Sequence, residues 1–197
     1  MPQHTIERLA LFGALLAAFD ALHGAGDHWA QRSQDAALKG LQGSDLVYRD
    51  GVRVGTETDD RTGQPTMTAA RLGWISAARH GASYTAVQLT GTLAVTRLLG
   101  YRIPPTALLA GTAINSGTHL ILDRRAPLLW LADRTGNRGY ITHCTAVRVD
   151  AEGEVTTELS GPGTALMELD QSLHRAIGVA AAAVTTWLAI RSNIRNG

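Results

Sequence analysis

Seven residues of this chain have the types and spacing to hold a metal ion: His23, Asp27, His80, His119, Asp123, Asp170 and His174. Six of them form pairs, His23/Asp27, His119/Asp123 and Asp170/His174, each with its members four positions apart. On an α-helix that spacing puts both side chains on one face about a turn apart, so a single helix can supply two ligands to one ion. Imidazole and carboxylate ligands without thiolate suit a divalent zinc, manganese or iron ion better than a soft metal. Seven candidates exceed the four ligands of one tetrahedral zinc. Either two ions share the set, or some aspartates orient histidines from behind. Asp27, Asp123 and Asp170 are also the candidates for a general base, since a carboxylate not used as a ligand can take a proton from water acidified by the ion.

One His/Asp pair at this spacing is more often a surface ion pair or a satisfied core hydrogen bond. The elements that carry the pairs make the stronger case. Four helices are expected over about 6–33, 68–99, 104–125 and 164–191, separated by polar inserts at about 34–66 and 126–163. Gly100 is a natural stop for the second helix, Pro104-Pro105 suits the first turn of the third, and Gly161-Pro162-Gly163 precedes the fourth. His23 and Asp27 lie toward the end of the first helix and His80 toward the start of the second. His119 and Asp123 end the third, and Asp170 and His174 begin the fourth. In an up-down-up-down bundle all seven meet at one end, where the two long inserts emerge and can cover them. The expected fold is therefore all-α: a four-helix bundle in one domain over 1–197.

Within the inserts, Leu46 to Val54 reads as a small hairpin about Asp50-Gly51. Ile141 to Val149 with Val155 to Leu159 reads as another, about Glu152-Gly153-Glu154. Leu128 to Asp133 is a short amphipathic stretch. His4, His28 and His143 fall outside the shared face, and Trp29, Trp74, Trp130 and Trp187 suit core or interfacial anchoring. Asp20 and Arg97 could pair inside the bundle or sit at its edge.

Composition narrows the function classes. Hydrophobic residues make up 45% and charged residues 18%, against roughly 25% charged in an average soluble domain. The net charge is +1 and Arg is scattered, which argues against nucleic acid as a partner. Cys144 is alone, so one chain has neither an internal disulfide nor a cysteine metal knuckle. Asp20 and His23 interrupt the first apolar run, so it does not read as a secretory signal. Ile103 to Leu122 carries no charge and matches the ~20 residues needed to span a bilayer, with shorter companions at Tyr84–Val95 and Ala176–Ile190. A mean hydropathy of −0.02 is low for such a protein, because the polar inserts dilute it. Richness in Ala, Arg and Gly points to a bacterial source. The arginines at 8, 97, 102, 191 and 195 favour the short-loop end as the cytoplasmic one.

Three sequence blocks carry a family resemblance: His23-x3-Asp27-x3-Gln31; Ser116-Gly117-Thr118-His119-Leu120-Ile121-Leu122-Asp123-Arg124; and Leu169-Asp170-Gln171-Ser172-Leu173-His174, with His80 between the first two. Together they resemble the bacterial family catalogued as domain of unknown function 3307, across most of the helical part. The resemblance implies a small multi-helix protein of the bacterial cell membrane, whose signature positions here include Gln31 and Gln171 beside the seven above. The long polar inserts depart from that pattern and leave a cytoplasmic protein as the alternative. The layout is also loosely similar to membrane-bound, metal-dependent hydrolases. The expectation is a metal-dependent hydrolase acting on a phosphoester or lipid-like substrate. Its rivals are a metal-binding or transport protein without turnover, and a structural or interaction protein with a buried polar network.

Overall fold

The computed structural model describes residues 3–196. Helix takes 65% of the chain and strand 7%, so the framework is helical and the β structure is confined to the inserts. Four long helices dominate: α1 (Gln3–Gly24), α3 (Ala69–Leu98), α4 (Pro105–Leu122) and α7 (Ala165–Asn196). Shorter helices α2 (Ser33–Leu38), α5 (Ala126–Arg134) and α6 (Arg138–His143) lie between them. Helix α1 packs on α3 and α7, and α4 packs on the same two, so α1 and α4 stand across a diagonal.

Local chemistry sets the helix ends. The Thr68 hydroxyl accepts from the Arg71 amide and starts α3, as Thr164 does for α7 through the Met167 amide. Helix α3 stops in a paired C-terminal turn: Gly100 takes a φ of 78°, its amide donates to the Arg97 carbonyl, and the Tyr101 amide donates to Thr96. Only glycine adopts that backbone without strain. The chain then re-enters helix at Pro105. This short turn and the α1 N-terminus define one end of the molecule, the turn end. The two inserts define the other, the loop end.

Helix α1 does not continue to Ser33 as expected. It widens into a single π-turn at Ala25–Trp29, and α2 begins at Ser33. The first insert also differs from expectation. The turn at Asp50-Gly51 forms, with one bridge between Val47 and Arg53, but strand β1 (Leu46–Val47) pairs antiparallel with β2 (Met67–Thr68). That pairing ties the insert to the start of α3, where Leu38, Val47, Ala69 and Leu72 make a small apolar cluster. The second hairpin is present: β3 (Ala146–Val149) pairs with β4 (Val155–Glu158), after Arg138–His143 has formed a helical turn in place of strand.

The main core fills the turn end, with Leu11, Leu15 and Phe19 of α1 against Ala107 of α4 and Ala181 and Ala189 of α7. Small residues let α4 and α7 approach closely. A Cβ on Gly111 would collide with the Thr185 side chain. Helix α3 contributes a polar stripe instead, burying Ser76, His80, Tyr84, Gln88, Thr92 and Thr96. Asp20, considered above as a partner for Arg97, pairs with Arg175 at 3.3 Å on the surface.

Two helical stretches, Thr5–Trp29 and Ala165–Ser192, are long and apolar enough to cross a membrane by length and composition, a test that buried core helices also pass. The charge-free Ile103–Leu122 stretch is not among them, since its Gly, Thr, Asn, Ser and His residues dilute its hydropathy.

Candidate metal centre

The loop end brings His23, Asp27, His80, His119, Asp123 and His174 together from all four long helices and the π-turn, each of them buried. The geometry is tightest around His80 and His119. Their Nε2 atoms are 2.9 Å apart, and both lie 3.1 Å from Asp27 Oδ1. Asp123 Oδ2 is 3.2 Å from His80 Nε2 and 3.3 Å from His119 Nε2. Zinc–ligand bonds of ~2.0–2.1 Å in a tetrahedron require ligand atoms roughly 3.3 Å apart. These five separations fall in that range as well as in the range of hydrogen bonds, and two triads, His23/Asp27/His119 and His80/His119/Asp123, have ligand atoms close enough together to hold a metal ion.

Protons alone serve this arrangement poorly. Each ring nitrogen can carry one hydrogen, yet each Nε2 faces the other and two carboxylate oxygens. Asp123 Oδ2, although beside both rings, receives no aligned N–H and is buried without a hydrogen-bond partner among the described residues. The Nδ1 atoms of His80 and His119 are likewise buried and unpaired, so a fully protonated ring would leave a buried donor unmet. A divalent cation held by these residues would take up the nitrogen lone pairs and the carboxylate charge.

The supporting contacts come from residues near the cage in space and mostly distant in sequence. Asp123 turns its other oxygen, Oδ1, to the Lys39 ammonium at 2.8 Å. Burial alone would push the Asp123 carboxyl up, but the His119 ring and the Lys39 charge outweigh it and hold it at about 2. Arg124, itself buried, donates to the Lys39 and Leu41 carbonyls and stacks over Trp74, which fastens the first insert across the end of α4. Arg79 donates twice to the buried Asp35 of α2. The Tyr84 ring stacks on His119 at 3.8 Å and 6°. Its hydroxyl lies 3.0 Å from His23 Nδ1 and accepts from Gln88 Nε2 at 3.0 Å. Gly26 makes room for this ring, because a Cβ there would stand 2.6 Å from Tyr84 Cδ2.

The remaining expected residues occupy distinct places. His174 lies beside the cage, with ring centroids 4.5 Å from His119 and 5.1 Å from His23. The Asp170 carboxylate is at the edge of the cluster, partly exposed on a cavity wall with Oδ2 3.5 Å from His174 Nδ1, while its backbone carbonyl meets the same nitrogen at 2.8 Å. Gln171 links His23 and Asp27, 3.1 Å from each. Gln31 works on the backbone: oriented so that its nitrogen donates to the Asp27 carbonyl at 2.8 Å, its oxygen accepts from the Ala36 amide at 3.1 Å. His28 is exposed on the rim and His143 ends α6 away from the cluster, while the side chain of His4 lies outside the described residues.

Sequence reasoning missed Tyr84, Gln88, Asn115 (buried on a cavity wall shared with Tyr84 and His23) and Lys39. The first three were within reach of the rule used for the pairs. Tyr84 and Gln88 continue the four-residue spacing from His80, and Asn115 precedes His119 by the same step. Lys39 arrives from the insert and had no such signal.

Two cavities flank the cluster. One of about 360 Å³ opens under the inserts and is lined by polar residues that include Asp27, Lys39, Asp123, Arg125 and Asp170. The other, of about 380 Å³, runs between α1 and α7 past Leu16, Phe19 and Val179 and reaches His23, Tyr84 and His174. Comparison with protein-family models, with curated proteins and with solved structures yields no match to this chain.

Proposed function

We propose that the chain is a membrane-embedded four-helix bundle that binds a divalent ion at its loop end and hydrolyses a phosphoester in a lipid-like substrate. The observation that carries this is the convergence of His80, His119, Asp27 and Asp123 at coordination distances, with an orphaned carboxylate oxygen among them. The nitrogen and oxygen donors suit zinc, manganese or iron. The resemblance to the family of domain of unknown function 3307 supports the membrane-embedded helical part of this reading, and most of the positions that carry it, Gln31 and Asp170 apart, lie in the cluster.

Charge placement supports the membrane. Helix α3 carries no charge between Arg79 and Arg97, α4 none between Arg102 and Asp123, and α7 none between Arg175 and Arg191. In α1 the gap runs from Arg8 to Asp20. Because neighbouring helices alternate in direction, these gaps overlap in one slab; at ~1.5 Å per residue the α4 gap matches the ~30 Å of a hydrocarbon core, and the shorter α1 gap covers about half of it. Exposed Trp29, Trp74 and Trp130 lie at the loop end, and exposed Trp187 stands one turn before Arg191 at the other. This is the interfacial belt pattern. The metal centre then sits at one membrane surface, with the polar cavity facing water and the α1/α7 crevice facing lipid.

A bound divalent ion supplies Lewis acidity toward a phosphoryl oxygen and acidifies water. The protein supplies the rest. Arg125, beside the paired Lys39 and Asp123 on the wall of the polar cavity, offers a charge to an anionic headgroup, and the crevice accommodates an apolar chain. Asp170, held outside the cage on the cavity wall, is placed to take the proton from water, whereas Asp27 and Asp123 are engaged as ligands. Ligands under a loop-covered cavity fit turnover better than a transport path through the bundle. Asp170→Asn is expected to keep its metal while losing about 10²–10⁴-fold in hydrolysis of a phosphodiester or of phospholipid vesicles, the usual contribution of a general base. Elemental analysis and an ester panel on the same preparations test it. Metal without any hydrolysis in the parent protein favours a binding or transport role. A parent without metal leaves a structural polar network.

A further inference from the structure

We propose that the cluster holds a second divalent ion, bridged to the first by the Asp27 carboxylate and bound by His23 and His174. The inference rests on the first metal site proposed above. It starts from how Asp27 divides its oxygens. Oδ1 faces His80 and His119 at 3.1 Å. Oδ2 lies 3.3 Å from His23 Nε2 and 3.1 Å from Gln171 Nε2. A carboxylate used in this way spans two ions, and in hydrolytic two-metal sites these stand roughly 3.5–4 Å apart.

His174 provides the independent observation. Its Nδ1 is 2.8 Å from the Asp170 carbonyl, which can only accept, so Nδ1 carries the hydrogen. Nε2 is then a lone pair, and it is buried with no partner among the described residues, in a residue 4% exposed. A backbone carbonyl behind one ring nitrogen and a free lone pair on the other is the posture of a metal-ligating histidine. Left unmet, that lone pair costs stability. His23 is met on both nitrogens: Nδ1 contacts the Tyr84 hydroxyl at 3.0 Å, and Nε2 faces two acceptors, Asp27 Oδ2 and Gln171 Oε1, the latter at 3.1 Å, so Nε2 carries the hydrogen and would give it up to an ion, with Nδ1 then donating to Tyr84. An ion held by His23 Nε2, Asp27 Oδ2 and His174 Nε2, with the Gln171 carbonyl beside it, uses none of the four atoms of the first cage.

The placement also sharpens the substrate class. Asp27 and Gln171 line the polar cavity, while His23 and His174 line the apolar crevice. The second ion stands where the two meet, which suits the phosphoryl group of an amphiphile whose head and chain part at that point. Two dications against two carboxylates leave positive charge for that group.

The test is manganese stoichiometry and electron paramagnetic resonance on the full chain purified in detergent and loaded with Mn(II). The expected result is about two ions per chain and the spectrum of a coupled pair. His174→Ala and His23→Gln should each fall to about one ion with the six-line spectrum of isolated Mn(II), while circular dichroism shows parental helix content. One ion per chain in the parent, unchanged in both variants, overturns the second site and leaves the first. Loss of all metal in both variants with helix content intact overturns it too, since a single shared site would behave so. No ion in the parent overturns both sites.

Discussion

The two ends of the four long helices are built by opposite means. At the turn end Leu15, Ala107, Ala181 and Ala189 are fully buried, and the helices cohere through close packing of small and aliphatic side chains. At the loop end the same helices bury His80, His119, Asp27 and Asp123, with Lys39 and Arg124 closing over them from the first insert. An apolar core stabilises whatever its occupant. A polar cluster is stable only when every member is met, and here several atoms are met by no other protein atom. The turn end is thus built as scaffold, and the loop end as a buried His/Asp cluster that could hold a metal ion.

This contrast can be broken most directly at its polar pole. His119→Ala removes a ligand at the centre of the cluster and is expected to strip bound metal below detection in elemental analysis. His143→Ala should leave the metal content at the parental level. Equal loss in both would mean that metal content reports general damage instead of a cage.

At the apolar pole, Leu15→Ala leaves a cavity in packed surroundings and should destabilise the protein by about 2–5 kcal/mol in denaturation. Metal per folded chain should stay unchanged. Metal loss in this variant would show that the two ends are not separable, and that the cage depends on the packing three turns away.

A smaller effect concerns acid. The Asp123 carboxyl is lowered in the folded protein from 3.8 to about 2. Its contribution to stability is therefore fully present above about pH 4 and lost as pH falls toward 2, on the order of 2 kcal/mol. Lys39→Met removes one of the three groups, His119, Lys39 and His80, that hold it down and should move the acid-induced loss of the loop end to higher pH. Tryptophan fluorescence from Trp74, which lies against Arg124, can follow it. An unchanged acid transition would mean that Lys39 does not set the charge of Asp123.

Much of this arrangement was legible in the residues themselves, for physical reasons. Thr68, Gly100, Pro105 and Thr164 act within a few residues of where they stand, so the limits of α3 and the starts of α4 and α7 follow from local backbone chemistry. The four-residue spacing of His23/Asp27 and His119/Asp123 holds in any helix, and alternating helix direction then carries both pairs to the same end. What needed the tertiary structure was everything fixed by contact across elements. The π-turn at Ala25–Trp29 comes with the close seat of Tyr84 on Gly26. The partner of β1 is the distant β2, since Val47 must join Leu38 and Leu72 in a shared apolar cluster. Asp170 shares the spacing of the other pairs, yet only packing decided that its carboxylate faces a cavity and its carbonyl holds His174. Lys39 is an unremarked residue of an insert until the fold sets its ammonium on Asp123. Sequence spacing determines which side chains share a helix face; which of their atoms meet depends on helix packing and on the inserts that close over them.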